Sequence, residues 1–300
     1  MALSLVAVTS MSVAGRAQML NLGAAAGYAG LELNAAPVTF TLSKFSSVVT
    51  GNVGVAANGV FNFSGGSEIT GGIYGGTGAS INLSGGSSAT DGVHVPYAGI
   101  DQAIQDARTA ASFYAGLTPT TTLGSLGAGT LVGSGGLNVF QINGDLALSQ
   151  ATSLTLSGNA SDIFVFNITG QVNLSKANII LNGVSADAVL FNLLGTGQKV
   201  LSTGHSNTAG VFLAADGAIQ IDGGVHTANF IAGDSLIWQS GVNITQATSL
   251  QPVVPVPEAA TIATLSLTGG FVAFMAFMQR RRRVIAGVPV GQATVGVGSV

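Results

Sequence analysis

The residues able to do chemistry in this chain are few and scattered. Ser235 stands in Gly233-Asp234-Ser235-Leu236, where a serine hydroxyl acts as a nucleophile only if a histidine removes its proton. His226 is the last histidine, so no base follows the serine along the chain, and the block reads as a turn. His94, His205 and His226 stand singly among glycines, none with a second histidine at metal-ligand spacing. They read as turn or surface residues. In Gly75-Gly76-Thr77-Gly78-Ala79-Ser80 a glycine-rich run would need an aspartate to hold calcium, and Ser80 occupies that position. With no cysteine, thiol catalysis and zinc–thiolate sites are also excluded. The expectation is a protein with no catalytic residue, no metal and no cofactor.

Composition says what kind of scaffold carries so little chemistry. Charged residues make up 7% of the 300, and 44 are glycine. Disordered chains are charge-rich and poor in apolar residues, whereas this one is 47% hydrophobic with a mean hydropathy of +0.55. Glycine, serine, threonine and asparagine between short apolar runs suit many short strands joined by tight turns. Between Arg16 and Arg280 only Lys44, Arg108, Lys176 and Lys199 oppose all twelve acids. So acidic a stretch lacks the basic surface that a nucleic-acid backbone requires.

The two ends address the chain to a membrane. Residues 2–15 are apolar and small, and Gly15 and Ala17 suit a signal-peptidase site, so residues 1–18 read as a secretory leader. Pro252, Pro255 and Pro257 stiffen a linker over residues 251–258. An apolar run from Ala259 to Met278 follows, about the ~20 residues of one bilayer span. Arg280, Arg281, Arg282 and Arg283 come next and would stay cytoplasmic. The order Pro257-Glu258, apolar helix, arginine cluster resembles the PEP-CTERM sorting signal. That resemblance implies cleavage near Glu258 by an exosortase-type enzyme. Ala259 stands where that signal has a second proline, and a tail, residues 284–300, follows the arginines.

The middle carries a repeated phrase: Val60-Phe61-Asn62-Phe63, Val139-Phe140-Gln141-Ile142, Val165-Phe166-Asn167-Ile168, Leu190-Phe191-Asn192-Leu193, Val211-Phe212-Leu213-Ala214 and Asn229-Phe230-Ile231-Ala232. A recurrence every ~20–50 residues marks a solenoid. Alternate residues of a strand share a face, so Phe166 is expected to stack inside and Asn167 to face solvent. Between Tyr97 and Leu117, Ile100, Ala103, Ile104, Ala107, Ala111 and Tyr114 keep helical spacing. This predicts an amphipathic helix over about 98–116 along one flank.

Thr50-Gly51-Asn52-Val53-Gly54-Val55, the helix from Ala103 to Ala111, Leu117-Thr118-Pro119-Thr120-Thr121-Thr122-Leu123 and Ile163-Phe164-Val165-Phe166-Asn167-Ile168 resemble the ice-binding-like bacterial β-solenoids. The C-terminal half is also similar to choice-of-anchor A domains. The resemblance covers about residues 40–245 and implies an all-β, irregular three-faced β-solenoid with one flanking α-helix. It carries over no fixed set of functional residues. With the C-terminal transmembrane helix over 259–283, the expected body is residues 19–250, held in the envelope or outside the cell. The leading expectation is a non-catalytic adhesion or biofilm-matrix protein meeting polysaccharide or another cell surface. The alternative is ice binding on one flat face.

Overall fold

Short strands and glycine-bearing turns wind the chain into a three-faced parallel β-solenoid. The computed structural model describes residues 20–35, 39–43 and 47–247. The leader, the linker, the 259–283 span with its arginines and the tail lie outside these residues. Among the described residues, no helix is long and apolar enough to cross a membrane.

Each full coil gives one strand to each face. The first face runs Val93–His94, Ile73–Gly75, Asn52–Val55, Tyr28–Glu32, Val225–Ala232, Thr208–Ala214, Val189–Leu193, Ile163–Ile168, Leu137–Ile142, Thr121–Leu123. The second runs Leu146–Ser149, Val172–Ser175, Gly197–Thr203, Gly217–Asp222, Leu236–Gln239, Thr39–Leu42, Val60–Phe63, Ser80–Leu83 without a break. The third is split. Gly129–Val132, Ser153–Ser157 and Asn178–Asn182 form one part; Asn243–Thr245, Val48–Thr50, Glu68–Ile69 and Ser88–Ala89 continue from the start of Val225–Ala232 in the other.

The spatial order of coils is not the chain order. Coils from residues 28–94 climb away from Tyr28–Glu32. The chain then crosses to the far end, and the coils from Thr121 onward climb back until Val225–Ala232 pairs with Tyr28–Glu32. Helix α1 (Gly99–Ala115) is part of the crossing. Its 17 residues rise about 25 Å, roughly five strand spacings of ~4.8 Å. It buries Ile100, Ala103, Ala107, Ala110, Ala111 and Tyr114, and it packs chiefly against the 3₁₀ turn Gly23–Gly27 and also on Ile163–Ile168, Val189–Leu193 and Thr208–Ala214. The predicted helix is therefore present, one residue shorter at each end.

The core is an aromatic stack, as the repeated phrase implied. Ring centroids of Phe140, Phe166, Phe191, Phe212 and Phe230 follow at 5.0, 5.0, 4.7 and 5.3 Å. Parallel pairing at strand spacing dictates this, because residues in register sit one above the other. The next residue in the column is Gly30, in register with Phe230. A β-carbon there would overlap the Trp238 indole. Trp238 instead fills the core from the second face and meets Phe40 edge-on at 4.8 Å. From that point the large rings stand on the second face: Phe40 lies 4.6 Å from Phe61. The phrase Val60–Phe63 therefore belongs to a different face from the other five. Sequence alone could not separate them, because inward Phe looks the same on any face.

Candidate functional site: the uncovered faces

The first face is not available to a ligand where helix α1 lies on it. Asn167, expected to face solvent, is fully buried. It does point out of the aromatic core, as alternation requires, but α1 covers it. Its Nδ2 donates to the Tyr114 carbonyl at 2.8 Å. Asn192 donates to the Ala111 carbonyl at 3.0 Å and to Asn167 Oδ1 at 2.9 Å. Asn229 donates to the Ala26 carbonyl at 3.2 Å beside the short 3₁₀ turn Gly23–Gly27. Carbonyls near a helix C-terminus can take a further donor, and the asparagines of the phrase supply one at Ala111 and at Tyr114, whose carbonyl also accepts from Leu117 N at 3.3 Å. They are structural.

Among the described residues, no helix packs over the second face. Strand alternation turns Leu148, Leu174, Ile221, Trp238, Leu42 and Phe63 inward and leaves their neighbours outward. One outward column reads Ala147, Asn173, Leu201, Gln220, Ile237, Thr41, Asn62, Asn82, each in register with the next. Asn82 Nδ2 donates to Asn62 Oδ1 at 2.9 Å, which fixes two neighbouring side chains in one orientation. A second column begins Ser149, Ser175, Thr203 and includes Asp222 and Gln239. Asp222 is the one charged residue in these columns. Lys199 is not on the face: it is buried, and its Nζ donates to the Thr169 carbonyl at 3.2 Å.

The third face carries a threonine ladder. Thr227, Thr245 and Thr50 are in register. The backbone N–H groups of Thr70 and Thr90 donate to the Val49 and Ile69 carbonyls, each at 2.9 Å, and carry the column on. All five side chains are exposed. On one side of the seam the ladder is visible in the sequence, where Thr50, Thr70 and Thr90 recur every 20 residues. Its continuation into Thr227 and Thr245 was hidden, because it depends on the last coil meeting the first.

The residues considered for chemistry are dispersed. Ser235 lies in the turn before Leu236–Gln239, and its carbonyl accepts from Ile219 N at 2.8 Å. His94 ends an exposed strand and stacks on Tyr74 at 4.9 Å. His205 sits in a turn with φ 62°. His226 corrects the expectation of a turn or surface role. It lies inside the strand Val225–Ala232 between exposed Val225 and Thr227, so alternation turns its ring into the core. Nδ1 lies 2.8 Å from Thr208 Oγ1 and Nε2 2.9 Å from the Gly223 carbonyl. Burial lowers its pKa to about 4. Asp162 is held below the usual carboxylate range, first by the Asn159 N–H, with Asn138 and Gly135 donating as well. It ties a loop together. Among the described residues no three His, Cys, Asp or Glu side chains gather in a way that would hold a metal.

What remains is extended, regular, nearly uncharged surface on a rigid parallel sheet. A family model described as ice-binding-like matches residues 35–249. The chain belongs to the ice-binding-like family. Solved structures agree with this family's fold. The ice-binding protein of the Antarctic ascomycete Antarctomyces psychrotrophicus aligns with a TM-score of 0.55 at 22% identity, over 78% of this chain and 100% of that one. An ice-binding protein from an Antarctic Flavobacteriaceae bacterium gives 0.55 at 24% identity, over 80% of this chain and 49% of that one. The DUF3494 domain of Shewanella frigidimarina ice-binding protein 1 gives 0.52 at 24%, over 77% and 98%. At these identities the likeness is one of fold. No curated protein matches the chain. The family match ends before Pro257, Glu258 and Arg280 to Arg283, so the sorting-signal expectation rests on sequence.

Proposed function

We propose that this ice-binding-like solenoid binds ice through its second face and is not an enzyme. The observation that carries the reading is the unbroken eight-stranded outward surface from Leu146–Ser149 to Ser80–Leu83. Ice presents a repeating lattice. A partner for it must repeat too, must stay flat and must not need to reorganise on contact. Parallel coils supply the repeat at ~4.8 Å. The stacked core beneath supplies stiffness. Hydroxyls and amides in register, such as Ser149, Ser175 and Thr203, hold water in rows, and the methyls of Ala147, Leu201 and Ile237 exclude it between them. Ionised groups bind their own water tightly, and these columns hold one, Asp222. Adhesion to polysaccharide, the other reading of the sequence, gains no comparable support: family and fold neighbours point toward ice.

The threonine ladder favours a second placement of the same activity, on the third face. It is shorter, five coils against eight, and Glu68 lies in the column beside it. The experiment that separates the two replaces outward residues with lysine. Gln220→Lys with Asn62→Lys is expected to abolish inhibition of ice recrystallisation while leaving the thermal melt unchanged. Thr50→Lys with Thr245→Lys is expected to leave most of it. The reverse result moves the site to the ladder. A folded wild type that neither inhibits recrystallisation nor shows thermal hysteresis removes the ice reading, and glycan pull-downs then test adhesion.

The export reading belongs with this function. A leader over 1–18 and an anchor over 259–283 would place the solenoid outside the cytoplasmic membrane, where ice forms. The arginines Arg280 to Arg283 set the orientation, and cleavage near Glu258 would release the body.

A further inference from the structure

The two ends of the winding path meet at one seam, where Gly30, Leu31 and Glu32 lie in register with Phe230, Ile231 and Ala232. Glu32 is fully buried there. Its Oε1 accepts from Asn34 N at 2.5 Å, while Oε2 is buried with no hydrogen-bond partner. Gly59 faces that oxygen, and a β-carbon there would lie 3.0 Å from it. Two charged groups act on Glu32 from the elements around it, Arg108 on α1 and Asp234 in the turn after Ala232. Arg108 is committed elsewhere. It donates to the Ala215 carbonyl and to Asp216 Oδ1, each at 3.1 Å, and to the Leu33 carbonyl at 3.3 Å. Leu33 belongs to the first coil, Ala215 and Asp216 to a turn near the last. Arg108 thus staples the seam from its solvent side and leaves the carboxyl beneath without a salt bridge.

We propose that this seam is a pH-operated latch, closed while Glu32 carries a proton and loosened when its carboxyl ionises. A buried carboxylate with one oxygen unpartnered has lost its water without gaining an ion pair, so the closed seam favours the neutral acid. Burial raises the Glu32 pKa to about 8. The Asn34 N–H, the Ala56 N–H (which lies near the carboxyl but outside hydrogen-bond geometry) and then Arg108 pull the other way, and Asp234 adds to the rise. For an acid raised in the folded state, the contribution to stability is full below its ordinary value near 4.5 and is lost as pH climbs to about 8. The latch matters beyond the seam itself. The second face crosses at the same place, where Ile237 meets Thr41, so an open seam cuts that face in two.

The test is amide hydrogen exchange on the intact protein. After correction for intrinsic rates, amides of Leu31 to Leu33 and Phe230 to Ala232 are expected to lose protection roughly 50-fold between pH 6 and pH 8. Glu32→Gln, which keeps the shape and cannot ionise, is expected to remove that dependence. An equal loss in Glu32→Gln overturns the latch. If that variant does not fold, the carbon-13 shift of the wild-type Glu32 carboxyl decides: a midpoint near 8 supports the proposal, and one in the ordinary carboxylate range overturns it.

Discussion

Single residues in this molecule are judged by what lies on the far side of them. Phe166 and Asn167 are neighbours in one strand, one in the aromatic stack and one under α1. Phe166→Ala should cost about 3–5 kcal/mol in a denaturant melt. Asn167→Ala should also cost, about 1–3 kcal/mol, because it removes the buried bond to the Tyr114 carbonyl and the Oδ1 that accepts from Asn192. A neutral Asn167→Ala would mean that the Leu117 N–H suffices for the carbonyl and that the Asn192 amide needs no second acceptor. His226 gives a pH prediction. Its pKa falls from 6.5 to about 4 on folding, so between those values the unfolded chain binds a proton that the folded one does not. Stability should therefore fall as pH drops from 6.5 toward 4. His226→Gln should flatten that limb of a melting-temperature profile, and an unchanged slope would show that the imidazole is not responsible.

Among elements, the strands were the most legible in the sequence and their partners the least. Inward Phe recurring from Phe140 to Phe230 at shortening intervals revealed coils of unequal size, because stacking favours the same side chain at each level. The helix could be read because Ile100, Ala103, Ala107, Ala111 and Tyr114 keep its period. What it covers could not: nothing local to Asn167 or Asn192 says that a carbonyl from 53 or 81 residues away will arrive over them. Nor could the register of Thr245 on Thr50, which needs the far end of the chain to return. The lysine substitutions on the second and third faces test the elements separately, since the two faces are built from different strands.

At the scale of the whole molecule, a chain of 300 residues with little charge spreads its described residues into long exposed sheet faces. Its closure is non-sequential, so the last coil must find the first. The contacts that hold the seam, Arg108 among them, should form late in folding, and Arg108→Ala should speed unfolding more than it slows folding. Stopped-flow rates in denaturant check this, and equal effects on both limbs would place the seam in the folding nucleus. Location is the other molecular question. External protease on spheroplasts should reach residues 19–250, while Arg280 to Arg283 stay protected unless the chain has been cut near Glu258. Protection of the body, with a periplasmic control digested, would contradict export.

The most direct measurement is ice recrystallisation in the presence of the wild type and of the Gln220→Lys, Asn62→Lys variant, both shown to be folded. Wild-type protein should keep crystals small, and the variant should let them grow as in buffer alone. Equal crystal growth with and without wild-type protein would contradict the account.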